Sequence, residues 1–432
     1  MRRNGSEIFF EGVIWFLIFF PPLFSGGLPF LPRVILFTVI FSLVPLVLLR
    51  AAVRSEWSVC FPREIWILGG FFAVLVFQLI PLPEGMLGFF SPATAAIYRT
   101  YAAEVSPRVF SISIYPYVTL LELVYWAGYA GLFLVAVNLF NTRRRMMRVV
   151  YVMILWAFVL GAYGVIEKYI LGWSAGRLTF STFGNKNHFA GYMVLISPLA
   201  FSFAFYEKDR AKKLVLGFLG GLLSLMVFLS FSRAGTIALL GALGFMGLLV
   251  WQQSKTAKAV GGVVAAVLLV AGLLSLAGID QFIQRFSSLP SGLYTRTMLF
   301  QDALEIIGDF PLFGTGEGTF RYIYPMYKDI ITTRFTYHLL NDHLELLLET
   351  GLAGACAYFG FLSAVFVRIV RKLSERKDPF AKYLVIGGLS GTAGLLFHSF
   401  FEFNFFVPAV ACMFWLILGI TYKGVHTRFA RQ

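Results

Sequence analysis

The chain concentrates acid–base side chains in one short stretch, Tyr337-His338-Leu-Leu-Asn341-Asp342-His343-Leu-Glu345. An imidazole or carboxylate held here could act as a general base on a hydroxyl. His338, His343 and Glu345 are the candidates. Histidine, Asp and Glu are also metal ligands, but two His four residues apart with an Asp between them match no standard metal pattern. No metal site is therefore expected. The bland alternative is a structural cap. Asn341 is a good N-cap residue, His338 just precedes it, and Asn341 and Glu345 would share a helix face.

A second set of residues suits an anion. Arg233 lies at a tight turn, in Ser230-Phe-Ser-Arg-Ala-Gly235, where a guanidinium and exposed backbone N–H groups can act together. Arg296 heads a helical stretch. Arginine grips phosphate oxygens bidentately and stays charged, so Arg233 and Arg296 could hold a diphosphate. Arg321 lies in the same polar region as Arg296. Asn185, Lys186, Asn187 and His188 form a polar mouth at the entry to an apolar run, and Asn341 and Asp342 add hydrogen-bonding capacity. For any one of these arginines taken alone, contact with lipid headgroups is the plainer reading. Gly314-x-Gly316-x-Gly318 reads as a glycine turn rather than a nucleotide loop. Glu122, Glu167, His398 and Glu402 fall in or at the ends of apolar runs, which makes them candidates by position. Glu402 with Asn404 reads as a structural polar pair.

The elements that must position these residues are membrane spans. Of the 432 residues 58% are hydrophobic and 13% charged, with mean hydropathy +0.78. Soluble domains carry about 25% charged residues, and a bilayer-crossing helix needs about 20 apolar residues. Twelve spans are expected, near 8–24, 33–49, 65–82, 119–140, 148–170, 188–206, 214–231, 235–251, 259–278, 351–370, 383–402 and 406–422. The first is weakened by Glu11. The net charge of +14 comes from short basic clusters between these runs, such as Arg143 to Arg148, Lys208 to Lys213 and Arg368 to Lys382. That is a positive-inside signal rather than a nucleic-acid surface, and it puts both termini in the cytoplasm.

The chain thus reads as a single all-α polytopic membrane domain over 1–432. It has an outer loop at 83–118 and a large helical outer loop at 279–350 between the ninth and tenth spans. In the large loop, Leu299, Ala303 and Ile307 mark an amphipathic helix over Arg296–Ile307. A second helix is expected from Asn341 toward Glu349, with a break at Thr350-Gly351. Glycines at four-residue spacing, Gly217/Gly221 and Gly387/Gly391, suit close helix packing in lipid. Cys60, Cys356 and Cys412 show no disulfide or zinc spacing. Met1-Arg2-Arg3 before an apolar run lacks a cleavage signal and reads as an uncleaved first span.

Several stretches resemble the superfamily of O-antigen ligases and polymerases. They are Thr182-Phe-Gly-Asn-Lys-Asn-His188, Ser232-Arg-Ala-Gly235, Arg296 through Gly318, Asn341-Asp-His-Leu-Glu345 through Gly351, and His398-Ser-Phe-Phe-Glu-Phe-Asn404 through Pro408. Ile80-Pro-Leu-Pro83 with Ser91-Pro92 also fits. The resemblance implies a twelve-helix glycosyltransferase of the bacterial inner membrane with its active site facing the periplasm. The donor would be a glycan on undecaprenyl diphosphate, and the acceptor a lipid A core or another glycan. The reaction would invert the sugar and need neither metal nor other cofactor. Arginines hold the diphosphate in such enzymes, here matching Arg233 and Arg296, and a His of the large outer loop is the base. This chain departs from the pattern in having Leu340 immediately before Asn341, where the family often has His. His338 is favoured as the base, with His343 or a carboxylate as alternatives. Ligase and polymerase are not separated by the sequence. A transporter or flippase of lipid-linked glycans is the rival from another class, but the inverted repeats and mid-membrane charges usual in transporters are not apparent.

Overall fold

A computed structural model describes residues 5–53, 59–102, 104, 109–173, 179–254, 289–328 and 336–427. The described residues form an all-α membrane bundle. Among them, nine helices are long and apolar enough to cross a bilayer. They are α2 (Phe30–Val53), α6 (Pro116–Leu139), α7 (Arg143–Val165, continued by a π-helical turn to Ile170), α8 (Lys186–Tyr206), α9 (Arg210–Leu229), α10 (Arg233–Ser254), α13 (Asp342–Ser374), α14 (Pro379–His398) and α15 (Pro408–His426). Helices α1 (Gly5–Leu23) and α3 (Ile65–Leu79) occupy the first and third expected spans. The ninth expected span, 259–278, lies outside the described residues.

Polar residues at the turns start these helices. The side chains of Thr142, Asn185, Asp209, Asn341 and Asp378 each accept a backbone N–H from the first turn that follows. Helices α8, α14 and α15 form the centre of the bundle and are buried along most of their length. Gly387 and Gly391 allow α14 to press on α8. A Cβ at Gly391 would come within 2.1 Å of the Leu195 carbonyl oxygen.

The two ends of the bundle differ. At one end the basic clusters are paired with acids. Glu7 meets Arg50 and Arg145, Glu11 meets Arg145 and Arg148, Arg143 meets Asp378, and Arg368 meets Glu64. This explains how α1 tolerates Glu11. At the other end lie the two long loops. The first carries a two-residue hairpin, Leu82–Pro83 against Val109–Phe110, and helices α4 (Glu84–Phe90) and α5 (Pro92–Tyr101). The second forms a lid of α11 (Leu289–Asp309) and the short α12 (Phe320–Ile323). The lid has its own apolar core, in which Leu299, Ala303 and Ile306 of α11 pack on Phe320, Ile323, Leu339 and Leu348. The expected stripe holds, with Ile306 more deeply buried than Ile307, but the helix begins at Leu289, so Arg296 lies within it and not at its head.

Helix α13 is two helices. At Gly351 the backbone turns to φ 63° and ψ −172°, so Asp342–Thr350 lies under the lid and only the remainder continues as a span. The lid turn is stapled to this kink, with Leu352 N–H donating to the Pro311 carbonyl at 2.8 Å and Ala353 N–H to that of Leu312 at 3.0 Å. Gln78, at the end of α3, ties the same region down. Its amide donates to the carbonyls of Phe313 and Glu349 at 2.6 and 2.7 Å, and its side-chain oxygen accepts the Glu317 N–H at 3.2 Å.

Candidate active site

The segment before α13 turns sharply. Leu340 takes φ +58°, a left-handed conformation rarely adopted by a branched side chain, and Asn341 then caps the helix by accepting from His343 and Leu344 at 3.1 Å. This folds His338 back over the first turn of α13. His338 Nδ1 lies 2.8 Å from Glu345 Oε1, and the other Glu345 oxygen accepts the Leu339 N–H at 2.8 Å. A carboxylate only accepts, so Nδ1 donates and Nε2 is left as the basic nitrogen. The imidazole is clasped by Phe403 (ring centroids 4.5 Å apart) and Phe406 (4.0 Å).

His338 and Glu345 line a cavity of about 200 Å³ under the lid. Its wall includes Arg33 from α2, Glu122, Tyr125 and Trp126 from α6, and Glu317 and Arg321 from the lid. His343 reaches it too, but its Nε2 lies 2.8 Å from the Leu396 carbonyl and its ring packs on Phe400 and Phe359. Asp342 accepts the Asn404 N–H at 2.8 Å and the Phe405 N–H at 3.4 Å, and Glu349 accepts those of Gly318 and Phe320 at 2.8 and 2.7 Å. These two carboxylates hold backbone in place. Burial pushes the Glu317 carboxyl above the usual carboxylate range, although a hydrogen bond from Trp126 opposes the shift.

Phe403, whose ring also meets His188 edge-on at 4.7 Å, follows Phe401 and Glu402, which bind a basic residue. Arg296 donates to the Phe401 carbonyl at 2.7 Å and lies 3.4 Å from Glu402. Asn187 donates to the same Glu402 oxygen at 2.5 Å. The neighbouring Lys186 donates to the Phe231 carbonyl at 3.1 Å, two residues before Arg233. Phe231 also sits in the left-handed region, at φ 56°, which shapes the turn that presents Arg233. Burial raises the Glu402 carboxyl to about 7, despite the opposing charge of Arg296 and the bond from Asn187.

The residues singled out from the sequence therefore fall into three groups. His338 and Glu345 form a pair at the cavity, with His343 beside them and Arg321 on its wall. Asn187 and Arg296 meet at Glu402, and Lys186 binds the carbonyl of Phe231, two residues before Arg233. Asn185, Asn341 and Asp342 have side chains engaged with backbone, and His188 is buried beneath Phe403. Glu402 pairs with Asn187 and Arg296 rather than with Asn404, which instead meets His398 and Ser399. Arg33 and Glu317 were not singled out. Arg33 stands next to Pro32 near a helix start and reads as an interfacial anchor, and nothing in the spacing of Glu317 sets it apart from the other acids of its loop. Among the described residues no group of His, Cys, Asp and Glu is arranged to hold a metal ion.

Fold and site together define a multi-pass helical membrane protein with a polar chemical centre under a lid at one end of its bundle. Residues 218–359, about a third of the chain, match the family model described as O-antigen ligase. The match runs from α9 through the lid to the start of the span after Gly351 and includes Arg233, Arg296, His338 and Glu345. Comparison with curated proteins gives no match.

Proposed function

We propose that this protein transfers a glycan from undecaprenyl diphosphate to a sugar hydroxyl, at the periplasmic face of the bacterial inner membrane, with both termini in the cytoplasm. The feature that supports this reading is the His338–Glu345 pair on the wall of a cavity and against Phe403, with Arg296 bound at the adjoining Phe401 carbonyl and Glu402. His338 Nε2 takes the proton of the acceptor hydroxyl, and Glu345 stabilises the imidazolium that results. The acceptor oxygen attacks the anomeric carbon from the face opposite the diphosphate. The bond from that carbon to the diphosphate oxygen breaks with its electron pair, and the anomeric configuration inverts. Arg296, Arg233 and Lys186 compensate the charge that collects on the departing undecaprenyl diphosphate. A diphosphate is a good leaving group, so the step calls for no metal and no nucleotide sugar.

The basic end of the bundle supports the orientation, because Lys and Arg accumulate on the cytoplasmic side. An acceptor drawn from the lipid A core makes the enzyme a ligase. A second glycan repeat as acceptor makes it a polymerase. The deciding experiment supplies purified protein with an undecaprenyl-diphosphate glycan, with and without a lipid A core acceptor. Product that forms only with the core identifies a ligase, and chain extension without it a polymerase. No product in either reaction, or in the presence of both substrates, would overturn the reading.

A further inference from the structure

The cavity that His338 lines is also walled by Arg33, Glu122, Tyr125, Trp126, Glu317 and Arg321. Most carboxylates that reach the cavity are already committed, Glu345 to His338 and Leu339, Asp342 to Asn404, and Glu349 to the lid backbone. Glu317 is only half committed. Its Oε1 accepts the Trp126 indole N–H at 2.9 Å, while Oε2 is buried without a hydrogen-bond partner in a residue only 7% exposed. The Arg33 guanidinium lies over the rings of Tyr125 and Phe406, at 5.1 and 4.8 Å, and its Nε is also buried without a partner. Buried polar atoms are costly to leave unpaired, so a carboxyl oxygen and a guanidinium N–H facing one space call for a ligand that both donates and accepts.

Hydroxyl groups do both, and the apolar face of a sugar ring suits an aromatic wall. The volume of about 200 Å³ falls below the roughly 300–1,000 Å³ of sites for drug-sized ligands, which favours a single ring over an oligosaccharide. Charge argues against the diphosphate here. Five carboxyl side chains line the cavity, Glu122, Glu317, Asp342, Glu345 and Glu349, against two arginines, Arg33 and Arg321, whereas Lys186, Arg233 and Arg296 are not part of its wall.

We propose that this cavity seats one pyranose ring, the terminal sugar of the acceptor, with Glu317 and Arg33 bonding its hydroxyls and Trp126 forming part of its wall. The word acceptor rests on the function proposed above. The ring site itself rests on the cavity. Seated there, the ring would present a hydroxyl to His338, and the donor would approach from the side of Arg296.

The test uses full-length protein in nanodiscs, titrated with methyl α-D-glucopyranoside, methyl α-D-galactopyranoside and methyl α-D-mannopyranoside, with glycerol as the control polyol. Binding is read from tryptophan fluorescence, with Trp126→Phe identifying the Trp126 signal. At least one glycoside should give a saturable change that glycerol does not. Its Kd should rise about tenfold or more in Glu317→Gln and in Arg33→Gln, as loss of a hydrogen bond with a polar or charged partner predicts, and should be unchanged in Arg99→Gln on the first outer loop. Both variants are also assayed for glycan transfer, where the acceptor KM should rise and the donor KM should not. No saturable glycoside binding, or an unchanged Kd in both cavity variants, would overturn the ring site. A rise in donor KM alone would overturn its assignment to the acceptor. Glycoside binding by a protein that transfers no glycan would instead overturn the proposed function and leave the ring site standing.

Discussion

His338 Nδ1 and Glu345 Oε1 lie 2.8 Å apart, and the second oxygen of Glu345 is held by the Leu339 N–H. Both lobes of the carboxylate are therefore occupied, which fixes the imidazole tautomer as well as its direction. Glu345→Gln would break this arrangement without changing its size. An amide offers one oxygen where the site uses two. If that oxygen stays with the Leu339 N–H, the amide NH₂ faces Nδ1 and forces the proton onto Nε2, which is then no longer a base. We expect kcat to fall roughly 10²- to 10⁴-fold with the acceptor KM little changed. A kcat within a factor of about two of wild type would remove Glu345 from the positioning of the base.

Replacing the imidazole itself tests the base directly. His338→Ala should express normally and lose transfer, by about 10²-fold or more. Added imidazole should restore part of the rate, because the space between Phe403 and Phe406 can admit the free ring. Retained activity in His338→Ala would move the base to His343 or to a carboxylate.

Much of this arrangement is legible in the sequence, for identifiable reasons. The spans follow from apolar run length, and the cap at Asn341 and the break at Gly351 from residue chemistry at helix ends. Asn187 and Arg296 could be flagged one by one because each is polar at a span end or on the lid. Their meeting at Glu402 could not be read, since it depends on how α8, α11 and the 399–407 turn pack. Arg33 and Glu317 were hidden for the same reason. One comes from near the N-terminus and the other from the lid, and only tertiary packing sets them around one cavity. Leu340 shows a further limit. A left-handed φ at a leucine has no sequence signal, yet it helps bring His338 over Glu345.

On the donor side, Arg296→Ala should raise the donor KM by about 10- to 100-fold, the loss expected for a charge-assisted contact with a diphosphate. Arg296→Lys should recover only part of this, because an ammonium does not reproduce a bidentate guanidinium. Full activity of purified Arg296→Ala on an undecaprenyl-diphosphate donor would end the diphosphate role.

Glu402 adds a pH dependence. Burial raises its carboxyl to about 7, so the group is neutral below that pH and charged above it. Once charged, it competes with the diphosphate for Arg296, 3.4 Å away. Donor affinity should therefore weaken as pH rises through about 7. The same raised value means that folding stability declines between the ordinary carboxylate range and about 7, since the folded state holds the proton more tightly than the unfolded chain. Glu402→Gln should flatten the donor KM across this window. A wild-type inflection that persists in Glu402→Gln would assign it to another group.

The lid itself depends on Gly351. At φ 63° a side chain is strained, and a Cβ there would come within 2.4 Å of the Leu312 carbonyl and 2.5 Å of the Phe313 nitrogen. The obstacles are backbone atoms, and the Leu352 and Ala353 N–H groups bond that same turn, so neither side can yield cheaply. Gly351→Ala should cost about 1–3 kcal/mol from the backbone conformation alone, with the clash adding to it. The damage should be local at first, because the span beyond the kink packs on α3 and the lid turn is what must move. A lower melting midpoint in detergent should accompany lost transfer, and protease should cut the lid before the bundle. Glu349→Gln offers a milder companion, since it weakens the bonds from Gly318 and Phe320 without a steric conflict. A Gly351→Ala protein that melts and transfers like wild type would show that the lid is held by other contacts.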